Sequence, residues 1–317
     1  MLSASLGHLK TAMDYDVIVV GAGSAGLSAA LTLGRCRRRV LLADGGAPRN
    51  APSPAVHGFL TRDGLRPAKL LELGRQQLAP YPTIDVRELK ITKLHKLAKG
   101  FRAEGTTGQG HAWAGTTHRV LLATGVEDVL PALPGFRDLW GTGVLHCPYC
   151  HGYEVRDVPL GVIAAQPMSA HQALLIPDWG PTTYFTQGQF EPEAEELAAF
   201  AARGIIVERT PVVELMGVAP ALDGVRLADG RFVEVTAVFT APQTKPSTPL
   251  AEILGCAHED GPTGPYVKVD SWGATSVPGV WAAGDAAMPM HNATLASAAG
   301  VLAGIGVHQA SVRAKAA

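Results

Sequence analysis

The chain has 317 residues, with 27 Lys and Arg against 28 Asp and Glu, and a formal net charge of -1. This balance excludes the strongly basic surface of a nucleic-acid-binding protein. Hydrophobic residues make up 47% of the chain and charged residues 17%, so we expect a globular protein with a large core rather than a disordered chain. The length favours two domains.

Cysteine content and hydropathy predict the cellular location. The 4 cysteines are too few for a small secreted scaffold held by disulfides. No apolar run reaches the roughly 18 residues that a membrane-spanning helix needs, and residues 1–12 contain no apolar stretch typical of a signal peptide. We therefore predict a cytoplasmic protein that binds neither a membrane nor nucleic acid.

The first predicted element is a buried strand at 16–20 (DVIVV), which leads through GAGSAG at 21–26 into an apolar helix. A second strand at 40–43 ends at Asp44, an acidic residue placed as in dinucleotide-binding βαβ units. Glycines in this turn permit close packing and let the backbone approach a pyrophosphate at the helix N-terminus. The alternative is a plain βαβ turn that holds no ligand.

The rest of the chain alternates between predicted strands and helices. The further strands are predicted at 120–123, 160–164, 182–186, 212–216, 225–227, 232–239 and 280–283. The further helices are predicted at 191–202 and 293–306. This order predicts an α/β protein.

Cys147 and Cys150 form a CxxC pair, which can be a redox pair or half of a zinc site. A structural zinc site needs four ligands, and the other cysteines, Cys36 and Cys256, stand alone. The sequence therefore favours a redox pair and no metal. In such pairs the pKa of one thiol can fall well below that of a free cysteine. His151 follows directly and is a candidate to accept the thiol proton.

Six motifs, in order, carry a resemblance to the low-molecular-weight thioredoxin reductases. They are GAGSAG at 21–26, DGGAPRN at 44–50, HGFLTRDG at 57–64, LLATG at 121–125, CPYCHGYE at 147–154 and TSVPGVWAAGD at 275–285. The resemblance implies two Rossmann-like three-layer domains, the second inserted in the first. It implies an FAD-binding domain at 1–124 and 243–317, an inserted pyridine-nucleotide-type domain at 125–242, and a homodimer.

The resemblance also implies roles for single residues. The residues expected to bind FAD are Gly21, Gly23, Ser24, Ala25, Gly26, Asp44, Asn50, His57, Thr124, Gly125, Gly284, Asp285, Asn292 and Ala293. Among these, Asn50 and His57 are expected near the isoalloxazine, and Asp285 near the ribityl or pyrophosphate. Cys150 is expected to lie against the flavin, and Cys147 to meet the substrate.

Two departures from the family pattern bear on function. His151 stands where the usual member has Asp, and CHGYE is similar to a subgroup that includes dithiol oxidases of gliotoxin- and holomycin-type biosynthesis. After the strand at 160–163, the expected glycine motif reads AAQPMS, in which a side chain at Gln166 would occupy the space of a pyrophosphate. The segment 186–190 (TQGQF) has no Arg or Lys for a 2′-phosphate.

These observations predict an FAD-dependent thiol–disulfide oxidoreductase in which Cys147, Cys150 and His151 are catalytic and NAD(P)H is not used. Its electrons are expected to pass from a small dithiol to O2, or from a protein donor such as ferredoxin to a thioredoxin-like protein. An NADPH-dependent thioredoxin reductase with an unusual loop is one alternative. A non-catalytic flavoprotein redox sensor is the other.

Overall fold

The structure is a computed structural model that describes residues 13–316. The expectation about a signal peptide concerns residues 1–12 and lies outside the described residues. The strands are β1 (Tyr15–Val20), β2 (Val40–Asp44), β3 (Ile84–Lys96), β4 (Phe101–Thr107), β5 (Ala112–Leu122), β6 (Val126–Val129), β7 (Val144–Leu145), β8 (Leu160–Ile163), β9 (Thr182–Phe185), β10 (Ile206–Glu208), β11 (Val212–Val218), β12 (Ala221–Leu227), β13 (Phe232–Glu234), β14 (Ala237–Phe239), β15 (Gln243–Pro246), β16 (His258–Asp260), β17 (Pro265–Val267) and β18 (Val280–Ala282). The α-helices are α1 (Ser24–Arg35), α2 (Pro67–Leu78), α3 (Pro148–His151), α4 (Ser169–Leu175), α5 (Ala194–Ala202), α6 (Leu250–Ile253) and α7 (Ala293–Ala316).

The first sheet has a parallel core in the order β3-β2-β1-β5-β18. Helices α1, α2 and α7 cover one face of this core. The long strands β3 and β5 continue beyond it and pair with β4 as an antiparallel meander, whose buried residues cover the other face. The core strands are apolar along their length because both of their faces are buried. The result is a three-layer Rossmann-like domain.

The second sheet repeats this plan with the parallel order β10-β9-β8-β14-β7. Helices α4 and α5 cover one face, and the antiparallel strands β11, β12 and β13 cover the other. The predicted fold of two Rossmann-like units is confirmed. Strands β6 and β15 pair with each other where the chain enters and leaves the second unit. The domain limits at 124/125 and 242/243 stay a prediction.

Several predicted elements differ in extent from those observed. The predicted strand at 232–239 is two strands, because β13 joins the antiparallel sheet and β14 the parallel one. The predicted helix at 191–202 begins only at 194, where Glu193 and Glu196 form a capping box. Strands β3 and β4 were not predicted. Most residues of β3 are exposed, which weakens its signal, whereas β4 alternates buried and exposed residues, a pattern that indicates a strand.

The C-terminal helix α7 extends ten residues past its predicted end at 306. Its segment Ala293–Ala314 is long and apolar enough to cross a membrane, by length and composition alone. This differs from the sequence expectation of no such segment. One face of α7 packs on α1, and a Cβ at Gly300 would lie 2.1 Å from the carbonyl oxygen of Ala25. Core helices of globular proteins meet the same criterion.

Candidate functional site

The turn between β1 and α1 is shaped by three glycines with different surroundings. Gly21 has a φ of 106°, and a Cβ there would lie 2.3 Å from the carbonyl oxygen of Ala123. A Cβ at Gly26 would lie 1.8 Å from the carbonyl oxygen of Gly21, so this position also excludes a side chain. A Cβ at Gly23 would meet no protein atom within 4 Å. The backbone at Gly23 therefore borders open space in front of α1.

The N-terminus of α1 suits an anion. Among the described residues, no side chain caps α1, and its first turn contains no acidic residue. The first backbone N–H groups of the helix therefore keep their capacity to donate to a ligand, and the helix dipole favours negative charge there. Together with the open space at Gly23, this arrangement fits a pyrophosphate.

Asp44 ends β2 at the same edge of the sheet. Its Oδ1 accepts the N–H of Gly46 at 2.9 Å, and its Oδ2 pairs with the guanidinium of Arg75 on α2. Both contacts orient the carboxylate. A carboxylate has about four lone-pair sites, so Asp44 retains capacity to accept ribose hydroxyls. Arg75 was not singled out from the sequence.

Other predicted cofactor residues gather at this edge because β1, β2, β5 and β18 are parallel. Thr124 and Gly125 follow β5, and Gly284 and Asp285 follow β18. Gly284 has a φ of 72°, and a Cβ there would lie 2.8 Å from the Cβ of Ala25 in α1. The predicted residues from these separate parts of the chain therefore lie at one edge.

Asn292 has a local structural role at the start of α7. Its Oδ1 accepts the N–H of Thr294 at 2.8 Å and that of Leu295 at 3.3 Å, which satisfies two N–H groups at the beginning of the helix. The Thr294 hydroxyl in turn donates to the carbonyl of Gly58 at 3.3 Å. Asn292 thus fixes the end of α7 next to the loop that carries His57.

A partly buried ion network lies at this edge and was not predicted. Arg49, one residue before Asn50, donates from Nε to Asp128 at 2.8 Å and from NH1 to Asp285 at 3.2 Å. The Arg49 and Asp128 side chains are 19% and 7% exposed. Burial opposes the charge, but the two carboxylates hold the pKa of Arg49 above its usual value. Because Asp128 lies on β6, Arg49 links the first sheet to the strand that leads into the second.

Two further histidines, His146 and His291, lie close enough to this network to interact with its charges. Burial, and then the charge of Arg49, lower the pKa of His146 to about 4. Burial also lowers the pKa of His291, which lies near Asp285. Both imidazoles are therefore neutral at pH 7. Neither histidine was singled out, although His146 directly precedes Cys147.

Cys147 and Cys150 form a disulfide, with their Cα atoms 5.2 Å apart. Cys147 stands at the N-terminus of α3, and its carbonyl accepts the N–H groups of Cys150 and His151 at 3.1 and 3.2 Å. Trp179 packs beneath this turn, since a Cβ at Gly152 would lie 2.6 Å from its indole. Trp179 therefore supports the redox pair.

His151 contacts His57, a residue predicted to lie near the isoalloxazine. The two rings meet edge to face, with centroids 6.2 Å apart. His57 also lies 3.5 Å from Asp63 and 3.6 Å from Glu154, measured from ring nitrogen to carboxylate oxygen. Burial, and then the charge of His57, lower the pKa of His151. His151 is therefore a neutral base at pH 7, as its predicted acid–base role requires.

The turn between β8 and α4 differs from the turn before α1. It has five residues, 164–168, against three, 21–23, in the first turn. Gln166 is 5% exposed, and its Nε2 donates to the carbonyl of Ala241 at 2.7 Å. The Ser169 hydroxyl accepts the N–H groups of Ala165 and Gln166 at 3.1 and 3.3 Å. Two amides of this turn are thus already bonded, and the Gln166 side chain is buried against the backbone of Ala241.

The segment after β9 is also held by its own side chains. Gln187 has a φ of 57° and exchanges two hydrogen bonds with the backbone of Val212, at 2.8 and 3.2 Å. Arg209 follows the neighbouring strand β10, and its Nε donates to Glu191 at 2.9 Å. The sequence of 186–190 does not reveal Arg209, because the pairing of β10 with β9 brings this residue there from elsewhere in the chain.

Two Rossmann-like units, a glycine turn open to an anion and a CxxC disulfide define a flavin-dependent disulfide oxidoreductase. The family described as pyridine nucleotide-disulphide oxidoreductase matches residues 15–300. The thioredoxin reductase sirT of Leptosphaeria maculans is 32% identical over 312 residues, which cover 93% of each chain. The thioredoxin reductase aclD of Aspergillus oryzae is 31% identical over 308 residues, covering 92% of this chain and 95% of aclD.

A solved structure shows the same similarity. The oxidoreductase from Agrobacterium tumefaciens has a TM-score of 0.88 and 43% identity, and the match covers 95% of this chain and 99% of that one. The chain therefore belongs to the pyridine nucleotide-disulphide oxidoreductase family. It is an FAD-dependent enzyme similar to thioredoxin reductases, as the sequence motifs implied. When bound, FAD supplies the two-electron oxidation and reduction that a disulfide pair requires.

Gly23 gives a direct test of cofactor binding. We expect the purified protein to be yellow, with about one FAD per chain. Replacing Gly23 with Val should remove the FAD but leave the fold intact, because the backbone (φ -74°, ψ -171°) accepts a side chain and no protein atom opposes it. The FAD content is measured from the absorbance of FAD released by heat. The fold is checked by comparing the circular dichroism spectrum and thermal unfolding of the variant with those of the wild-type protein stripped of FAD. A yellow, fully loaded Gly23→Val variant would show that pyrophosphate does not occupy this space.

Proposed function

We propose that the protein oxidises dithiols through the Cys147–Cys150 disulfide and FAD, and does not take electrons from NAD(P)H. The observation that carries this proposal is the turn before α4, where the Gln166 side chain is buried and bonded to the Ala241 carbonyl and the Ser169 hydroxyl accepts two backbone amides. Anaerobic mixing with NADPH and, separately, with a dithiol tests it. The thioredoxin reductase names of several relatives favour the alternative, an NADPH-dependent reductase.

The proposed chemistry balances within the pair. A substrate thiolate attacks Sγ of Cys147, the Cys147–Cys150 bond breaks, and Cys150 leaves as a thiolate. The second substrate thiolate then attacks the mixed disulfide and releases Cys147. The substrate is oxidised to a disulfide, the enzyme disulfide is reduced to two thiolates, and two substrate protons are released. Re-formation of the Cys147–Cys150 disulfide passes the electron pair on through the flavin cofactor, and we propose O2 as the final acceptor, which takes up two protons and leaves as H2O2.

The proposed substrate is a small dithiol. Both cysteines are partly exposed at the surface of α3, next to the exposed ring of Tyr149. A thioredoxin-like protein, with a donor such as ferredoxin, is the other expected partner pair. Two steady-state measurements distinguish these partners. One follows the oxidation of a small dithiol by O2, and the other follows the reduction of a thioredoxin-like protein by reduced ferredoxin. A flavin that neither NADPH nor any dithiol reduces would indicate a redox sensor.

His151→Ala should slow dithiol oxidation by roughly 10²–10⁴-fold, the usual contribution of a positioned acid–base group. A base acts in its neutral form, and burial lowers the pKa of His151. The wild-type rate should therefore hold at pH 7 and fall only as the pH drops below the ordinary imidazole range, near 6.5. Anaerobic rates measured from pH 5 to 8 check both effects. An unchanged rate and pH profile would leave His151 a structural residue.

We propose that the protein is a homodimer whose copies meet at the outer face of α7. Leu295, Val301, Leu302 and Val312 are exposed on this face, although the opposite face packs on α1. In a dimer with two-fold symmetry, this face of α7 would pack against the same face of the second copy, and these residues would be buried. Leu302→Glu should therefore give a monomer by light scattering, and Val218→Glu, at an exposed position of β11, should not. A monomeric wild-type protein would refute the proposal.

The cytoplasmic location also remains a proposal. It rests on the free cysteines Cys36 and Cys256, which a reducing compartment would keep as thiols. Cell fractionation with thiol alkylation checks it. Recovery in a membrane fraction would contradict it and direct attention to α7.

A further inference from the structure

His57 joins the redox turn to a loop of the first domain. It lies between β2 and α2, yet its ring contacts His151 edge to face. Its Nε2 lies 3.6 Å from Glu154, three residues after His151, and its Nδ1 lies 3.5 Å from Asp63 in its own loop. Two histidines and two carboxylates therefore line one path that begins beside Cys150.

The loop holds His57 in this position. Asp63 Oδ1 accepts the N–H of Gly58 at 2.8 Å, which closes the loop on itself. The carbonyl of Gly58 accepts the Thr294 hydroxyl, which ties the loop to α7. The side chains are also graded in exposure, with His57 at 20%, Glu154 at 39% and Asp63 at 69%. The path therefore leads outward from the redox pair to solvent.

The chemistry of a dithiol requires more than one proton acceptor. Each dithiol that becomes a disulfide releases two protons, but one imidazole holds only one added proton. A protonated His151 cannot accept a second proton, and its positive charge disfavours another positive charge beside it. The first proton must therefore leave before His151 can accept the second. His57 is the neighbour positioned to receive it, directly or through one water.

We infer that His151, His57 and Glu154 form a proton relay that carries substrate thiol protons from the redox pair to solvent. His57 and Glu154 act through His151 and are positioning residues. This inference rests on the proposed dithiol chemistry. In the reverse direction, reduction of a partner disulfide, the same relay would deliver the two protons. His146, which precedes Cys147, interacts electrostatically with His151 but is neutral at pH 7, so it adds no competing charge there.

The first test needs no substrate. The charge of His57 lowers the pKa of His151 and that of Glu154 raises it. The pKa of His151, followed by NMR of labelled histidines, should therefore rise in His57→Gln and fall in Glu154→Gln. His95→Gln is the matched control, since His95 lies on β3 beside Glu104 and should leave His151 unchanged. Equal His151 titrations in all three variants would overturn the inference.

The second test measures the relay itself. His57→Ala should slow anaerobic reduction by a dithiol by about 10²-fold per bound FAD, and added imidazole should restore much of the rate. His95→Ala should be neither slowed nor affected by imidazole. A slow His57→Ala variant that imidazole does not rescue, with an unchanged pH profile, would make His57 only structural. If a dithiol does not reduce the wild-type protein, the proposed function fails, whereas the NMR titrations still decide the contact.

Discussion

Anaerobic mixing with micromolar NADPH or NADH should leave the flavin of this protein oxidised, while a dithiol or dithionite bleaches it. A pyrophosphate at a βα turn needs free backbone amides and room beside them. At the turn before α4, Ser169 already accepts two amides, and the Gln166 side chain is buried against Ala241. Stopped-flow absorbance at the flavin band measures each reductant directly.

The expected loss of affinity is large. Hydrogen bonds to charged groups are worth about 1.5–3 kcal/mol each, so losing two or more of them costs several kcal/mol. A loss of about 4 kcal/mol turns a micromolar dissociation constant into a millimolar one. We therefore expect no flavin reduction at sub-millimolar NADPH. Gln166→Gly should not restore it, because the turn remains two residues longer than the one before α1 and Ser169 remains in place.

Rapid bleaching by micromolar NADPH would overturn this proposal and favour an ordinary thioredoxin reductase. Arg209 would then be the first residue to examine. It lies beside the segment 186–190 and is paired with Glu191. Arg209→Ala would weaken NADPH more than NADH if its guanidinium bound the 2′-phosphate. Dithionite bleaching of every variant serves as the control for flavin content.

Cys150→Ser should abolish the reduction of the flavin by dithiols. The disulfide cannot form without Cys150, so a substrate thiolate has no sulfur–sulfur bond to break. Cys147→Ser should also stop turnover, but it leaves the Cys150 thiolate, which should produce a long-wavelength charge-transfer band if Cys150 lies against the flavin. Cys36→Ser is the matched control, since Cys36 is a free, partly exposed cysteine.

The two variants distinguish the roles of the cysteines. A charge-transfer band in Cys150→Ser instead of Cys147→Ser would exchange the assigned roles. Wild-type dithiol turnover in either variant would show that the pair does not carry the electrons. Loss of turnover in Cys36→Ser would point to a second thiol in the reaction. Absorbance spectra and anaerobic rates, normalised to bound FAD, decide among these results.

Local sequence was sufficient for the cofactor class and the redox pair. Gly21 and Gly26 cannot carry a Cβ, and this steric requirement is visible as GAGSAG after a buried strand. Cys147 and Cys150 are three residues apart, so a single turn brings them together. The fully buried parallel strands were recognised for a similar reason, because their runs are apolar throughout. Strands β3 and β4, exposed on one side, were not.

Only the tertiary structure decided which distant residues surround the pair. Arg49, Asp128 and Asp285 come from three separate parts of the chain, and they meet where the loop after β2, strand β6 and the segment after β18 come together. His57 and His151 are joined because a loop of one unit packs on the redox turn of the other. Sequence alone predicted the chemical groups that are expected to react with FAD and thiols. Their charges and proton partners depend on contacts between segments far apart in the chain, which no local pattern encodes.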